Sequence, residues 1–142
     1  MAKPIFPCLW FQKDAKAAAE FYCSVFPNSK ILSASPIVIN FELNGRPFLA
    51  LNDYRAPEHF NEAISLVITC EDQKEIDYYW NKLTTDGGEE SMCGWCKDKY
   101  GLSWQVVPSI LGELMGDPNR AERVIAAFLK MKKFDIEKLK NA

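Results

Sequence analysis

The chain predicts an α+β fold built from two βαβββ modules and a C-terminal group of helices. Two observations point there. A strand-like run, an amphipathic helix and about three further strand-like runs occur in that order and then occur again. Laid over the first half so that Leu66 falls on Leu9, the second half also places Tyr78-Tyr79 on Phe21-Tyr22 and Leu83 on Phe26. With nearly the same offset Gly101 meets Gly45 and Trp104 meets Phe48, a repeat of pattern rather than of identity.

In the first module, about residues 4–54, the short apolar run 5–12 is bounded by prolines and reads as a buried strand. Asp14 is placed to cap a helix, and Ala18, Phe21, Tyr22, Val25 and Phe26 recur at three- and four-residue steps until Pro27-Asn28 ends it. Residues 32–35 form a weaker strand. Residues 37–43 and 47–52 form stronger ones, joined at Asn44-Gly45, a hairpin signal. The second module, about residues 62–108, opens with the apolar run 63–70. Asp72 and Glu75 then have the spacing of a capping box. Ile76, Tyr79, Trp80 and Leu83 share one helical face, and Gly87-Gly88 closes the helix. Two helices backed by strands that curl into a shared sheet would enclose a cavity.

After Pro108 comes a helical extension, about residues 109–142. Residues 109–115 suggest a short helix. Asp117-Pro118 reads as a cap with proline at the first helical position, and Ala121, Val124, Ile125, Phe128 and Leu129 mark an amphipathic helix. The terminal DIEKLKNA supplies a last turn or two. With 142 residues the chain fits a single domain that buries roughly two thirds of its unfolded surface, so it needs no covalent staples.

Composition limits the partners. A net charge of -2 with scattered Lys and Arg supplies no basic stripe for phosphate backbones, which argues against nucleic acid. No run of about 18 apolar residues and no signal-peptide pattern occurs, so a cytoplasmic protein without a membrane partner is expected. Five cysteines, an odd number spread through a core-sized chain, argue for buried thiols rather than a disulfide framework.

Chemistry-bearing residues are few. Cys93 and Cys96 have C-x-x-C spacing, but a turn and strand follow them where a redox pair needs a helix N-terminus. Zinc would need two further ligands that the isolated Cys8, Cys23 and Cys70 do not supply. Cys93 stays a candidate cavity thiol. His59 is the only histidine and lies in the polar connection YRAPEHFNEA; an exposed loop position is favoured over a general base or lone ligand. Trp10, Phe48, Trp95 and Trp104 fall on predicted strands, with Asn52, Ser65 and Gln105 as polar groups among them. Core packing accounts for many such rings. Together they suit a cavity for a planar or hydrophobic small molecule.

The segments WFQKDAKAAAEFYCSVFPNSKI, FNEAISLVITCEDQKEIDYYWNKL and CGWCKDKYGLSWQVVP resemble the PhnB-like family, also labelled 3-demethylubiquinone-9 3-methyltransferase-like. That family lies within the vicinal oxygen chelate superfamily of glyoxalase I, bleomycin-resistance proteins and extradiol dioxygenases. The resemblance covers nearly the whole chain. It implies the glyoxalase/bleomycin resistance/dioxygenase fold with curved mixed sheets, and a homodimer. In the superfamily's metalloenzymes, it further implies His, Glu or Gln ligands on the first and last strands of each module. Here those strands offer Gln12, Ser65, Thr69, Cys70, Ser103 and Gln105. Gln105 stands where the metalloenzymes have glutamate, and a neutral amide is a poor sole ligand. No metal and no cofactor are therefore expected. The methyltransferase label is not matched by a G-x-G run after a first strand.

Three functions follow as expectations. The first is a metal-independent binding or sequestration protein. The second is a superfamily enzyme of lyase, isomerase or dioxygenase type that uses Gln105, Ser65, Cys93 or His59. The third is an interaction protein assembled through its C-terminal helix.

Overall fold

The computed structural model describes residues 2–142. The elements run β1 (Cys8–Phe11), α1 (Ala15–Val25), β2 (Lys30–Ala34), β3 (Val38–Leu43), β4 (Arg46–Asn52), β5 (Ser65–Cys70), α2 (Gln73–Thr84), β6 (Glu89–Glu90), β7 (Trp95–Lys97), β8 (Ser103–Pro108), α3 (Ile110–Met115), α4 (Ala121–Phe128) and α5 (Ile136–Lys140). Each module is βαβββ. The strands form two separate four-stranded ladders, ordered β1-β4-β3-β2 and β5-β8-β7-β6, where one shared sheet was expected. The topology is the same in both: the first strand runs parallel to the fourth, and the remaining pairs are antiparallel. The chain divides into two compact units at His59 and Phe60.

In the first unit, the alanine-rich α1 buries Ala15, Ala18, Ala19, Tyr22 and Val25 along one stripe. Small side chains let its backbone approach the strands, and Leu9, Phe11, Ile39, Phe41, Leu43 and Ala50 complete this core. Asp14 does not cap the helix. The Ala15 N–H instead donates to Oδ1 of Asn52, 2.9 Å away at the end of β4, so the cap comes from the sheet. Asn44 and Gly45 both have positive φ, 51° and 74°, as a two-residue type I′ hairpin requires. In β2 the register slips between Ile31 and Ser33, a bulge that leaves Leu32 exposed.

In the second unit, α2 buries Ile76, Trp80 and Leu83 against a core that includes Cys70, Cys96, Leu102, Trp104 and Val106. Asp72 caps it by accepting from Glu75 N at 2.9 Å, and Glu75 reaches back to Glu71 N at 3.0 Å, one residue beyond the usual partner of a capping box. Leu66 pairs with Trp104 as Leu9 pairs with Ala50, so Trp104 is the ladder counterpart of Ala50 rather than of Phe48. Asp117-Pro118 does not open α4. Backbone bonds from Arg120 and Ala121 to the Asp117 carbonyl form a turn, and the helix begins at Ala121.

The extension belongs to the second unit. Cys93 N and Gly94 N donate to the Met131 and Lys132 carbonyls, both at 2.8 Å. The Gln73 amide holds both sides of one peptide segment, donating to Phe134 O at 2.9 Å and accepting from Ile136 N at 2.8 Å. Leu114, Val124, Phe134 and Leu139 are all buried. Among the described residues, no helix is long and apolar enough to cross a membrane.

Candidate functional site

Alternation along the strands gives each sheet a face packed under its helix and a face free of it. In the first unit, Leu9, Phe11, Ile39, Phe41 and Ala50 mark the packed side. Cys8, Trp10, Val38, Asn40, Leu49 and Leu51 alternate to the other, where Trp10 is 41% exposed. The Asn40 amide donates to Ser33 Oγ at 3.0 Å on that face. Phe48 and Asn52 share the parity of Ala50. Phe48 stacks on Phe41 with centroids 5.5 Å apart, and Asn52 is engaged as the α1 cap. Both had been expected on a cavity wall, and the pleat turns them toward the helix.

In the second unit, Cys96, Trp104 and Val106 lie on the packed side. Trp104, another expected wall residue, is 3% exposed there, and its indole N–H donates to Asp98 Oδ2 at 2.8 Å. The opposite face carries Ser65, Val67, Trp95, Lys97, Ser103 and Gln105. Here three expected site residues do come together. Trp95 stands opposite Gln105 in the ladder, and the Gln105 amide donates to Ser65 Oγ at 2.9 Å. The face thus offers an aromatic surface beside a linked pair of neutral polar groups.

At one end of this face is a polar pocket of about 130 Å³, bordered by Glu62, Glu89, Ser91, Trp95, Lys97 and Ser103. Lys97 Nζ lies 2.5 Å from Glu62. Their hydrogen bond is the main cause that raises the lysine's pKa and lowers the glutamate's. Ser103 is fully buried, and its hydroxyl has no hydrogen-bond partner among the described residues. Residue types point to the rings and Gln105, and Ser103 is legible only as a possible strand donor; Lys97 and Glu62 carry no motif, and nothing in the sequence singles them out.

Cys93 sits in the turn before β7 with φ of +57°. Cys96 is buried, and desolvation, aided by the charges of Asp98 and Glu90, raises its thiol pKa to about 12. That is opposite to the lowered pKa of a redox C-x-x-C. His59 is exposed, with Nε2 3.8 Å from Glu58.

The donors that could meet a divalent ion, as in the superfamily's metalloenzymes, are otherwise engaged. Gln12 donates its amide to Ala56 O at 2.9 Å, Asn52 caps α1, and Gln105 points its amide nitrogen at Ser65. Among the described residues no three His, Cys, Asp or Glu side chains are grouped as metal ligands would be. These residues do not fit a hard cation or zinc.

Paired βαβββ modules of this topology define the glyoxalase/bleomycin resistance class, and solved structures bear this out. The chain resembles a glyoxalase-related enzyme from Fulvimarina pelagi (12% identity over 78% of this chain and 91% of that one, TM-score 0.58). It also resembles a glyoxalase/bleomycin resistance protein from Albidiferax ferrireducens (11% identity over 72% and 95%, TM-score 0.51). More specifically, the chain belongs to the PhnB-like family described as 3-demethylubiquinone-9 3-methyltransferase, which matches residues 3–107. It is 34% identical to the PhnB protein of Bacillus cereus, over 75% of this chain and 100% of that one, with a TM-score of 0.70. No curated protein matches. The methyltransferase wording is a family name: the connection from β1 to α1 contains no glycine to cradle a nucleotide cofactor.

Proposed function

We propose that this protein binds a flat, largely apolar small molecule on the uncovered face of β5 to β8, without a metal ion, as a binding or sequestration protein. The observation that supports this is the grouping of Trp95, Gln105 and Ser65 on one face, with the indole beside a hydrogen-bonded neutral pair. A ring of this size supplies stacking area, and the neutral pair orients a ligand without the desolvation cost of a charge. Trp10 gives the first unit's open face a similar ring. We further propose that both modules and the extension act as one domain in a cytoplasmic homodimer. The five unpaired cysteines suit a reducing compartment.

The test is a ligand-observed NMR screen of bicyclic aromatic fragments on the full chain, repeated with Trp95→Ala. Binding that weakens roughly tenfold in the variant is expected, the scale of one lost aromatic contact. Binding indifferent to both Trp95→Ala and Gln105→Ala would sink the assignment. Conversion of a bound fragment would move the protein to the enzymes of its superfamily. Sedimentation velocity addresses the dimer.

A further inference from the structure

We propose that the pocket floored by Ser103 takes the ammonium or guanidinium head of a ligand whose flat body lies against Trp95 and Gln105. This deepens the function proposed above and rests on it. One observation calls for a polar head, and two more make it a cation.

The first is the hydroxyl of Ser103. A buried polar atom without a partner is uncommon and unfavourable. Ser103 is 0% exposed, borders the pocket and has no partner among the described residues. A polar head entering the pocket would satisfy it, since a hydroxyl both donates and accepts; the sign of that head is set by the charges around it.

The second is charge. Glu62, Glu89 and Glu90 border the pocket against a single cation, Lys97. Lys97 is committed to Glu62 at 2.5 Å. Glu90 accepts the Trp80 indole N–H at 2.8 Å and lies 4.0 Å from Lys132 Nζ. The Glu89 carboxylate, opposite Lys97 in the ladder, adds its charge to the field on that lysine but makes no side-chain hydrogen bond or close ion pair among the described residues. An incoming anion would have to displace Glu62 and then sit beside Glu89, whereas a cation meets Glu89 directly.

The third is the neighbouring ring. Trp95 borders the pocket as well as the open face, and a cation near an indole face is held by the ring quadrupole. A volume of about 130 Å³ corresponds to roughly four waters, enough for a compact head group.

The experiment is an NMR titration of the full chain at low salt with three probes of one shape: 2-naphthylmethylamine, 2-naphthalenemethanol and 2-naphthoate. All three are expected to shift the Trp95 indole signal, with the amine binding roughly tenfold tighter than the alcohol and the naphthoate weakest. Glu89→Gln and Ser103→Ala should each bring the amine close to the affinity of the alcohol. If amine and alcohol bind Trp95 equally, or the amine's preference survives Glu89→Gln, the head assignment falls and the open-face reading stands. If none of the probes shifts Trp95, both fall.

Discussion

Gly94 is packed against the ring of Phe134 so closely that a Cβ at Gly94 would collide with Cε2, lie 2.7 Å from Cδ2, and lie 2.8 Å from the Val106 carbonyl oxygen. Gly94 also has φ of +79°, and Phe134 is 2% exposed. One residue of the C-terminal extension therefore seals the turn that leads into Trp95. This extension lies beyond the span of the family match, which ends at residue 107. Gly94→Ala combines overpacking with an unfavourable backbone and should destabilise by about 2–4 kcal/mol. Chemical denaturation checks this, and an unchanged midpoint would contradict it.

The Gln73 clamp predicts how the extension is held. Its amide makes two bonds to the backbone around Phe134. Gln73→Ala leaves a carbonyl and an N–H unpaired and should cost about 1–3 kcal/mol. Removing residues 117–142 takes Phe134 and Leu139 away entirely. That truncation should abolish cooperative unfolding of the second unit, visible as collapsed amide dispersion. A truncated chain with wild-type stability would contradict this packing role, and one that also kept its oligomeric state would rule out assembly through the extension.

Asp98 is the hub of the loop between β7 and β8. Its 2% exposed carboxylate accepts from Tyr100 N at 2.8 Å, Leu102 N at 3.2 Å and the Trp104 indole at 2.8 Å. Asp98→Ala strands these donors and should cost about 3–5 kcal/mol. Asp98→Asn keeps an acceptor for the backbone but turns an NH2 toward the indole N–H, so the Trp104 Nε1 proton resonance should move. Equal stability of both variants with wild type would remove Asp98 from this role.

The cysteines predict a pH dependence. Burial pushes Cys70 and Cys96 from 9.0 to about 12, helped at Cys70 by the charges of Glu75, Asp72 and Glu71. The unfolded chain loses these thiol protons near pH 9, while the native chain keeps them. Their contribution is therefore complete below about pH 9 and is lost as pH rises toward 12. Thermal midpoints should fall across that window, and less steeply in Cys70→Ala. At pH 8, alkylation mapped by mass spectrometry should label the exposed Cys8 first and leave Cys70 and Cys96 protected.

The sequence by itself determined the order of elements, because hydrophobic period and turn chemistry are local. The α1 stripe, the Asn44-Gly45 hairpin and the Asp72 cap were all readable from neighbours a few residues apart. It also exposed the duplication and the family, since both reside in pattern. The packed or open side of a residue needs the ladder, because a shift of one position reverses every side chain on a strand. Trp95 and Trp104 are equal as letters. One reaches the open face beside Gln105, while the other is locked to Asp98 under α2. Long-range partnerships were equally invisible: Asn52 capping a helix that begins at Ala15, Phe134 sealing Gly94, and Ser103 left buried without a partner beside Lys97 and Glu62. Such contacts join residues far apart in the chain, and only the folded backbone brings their atoms within bonding distance.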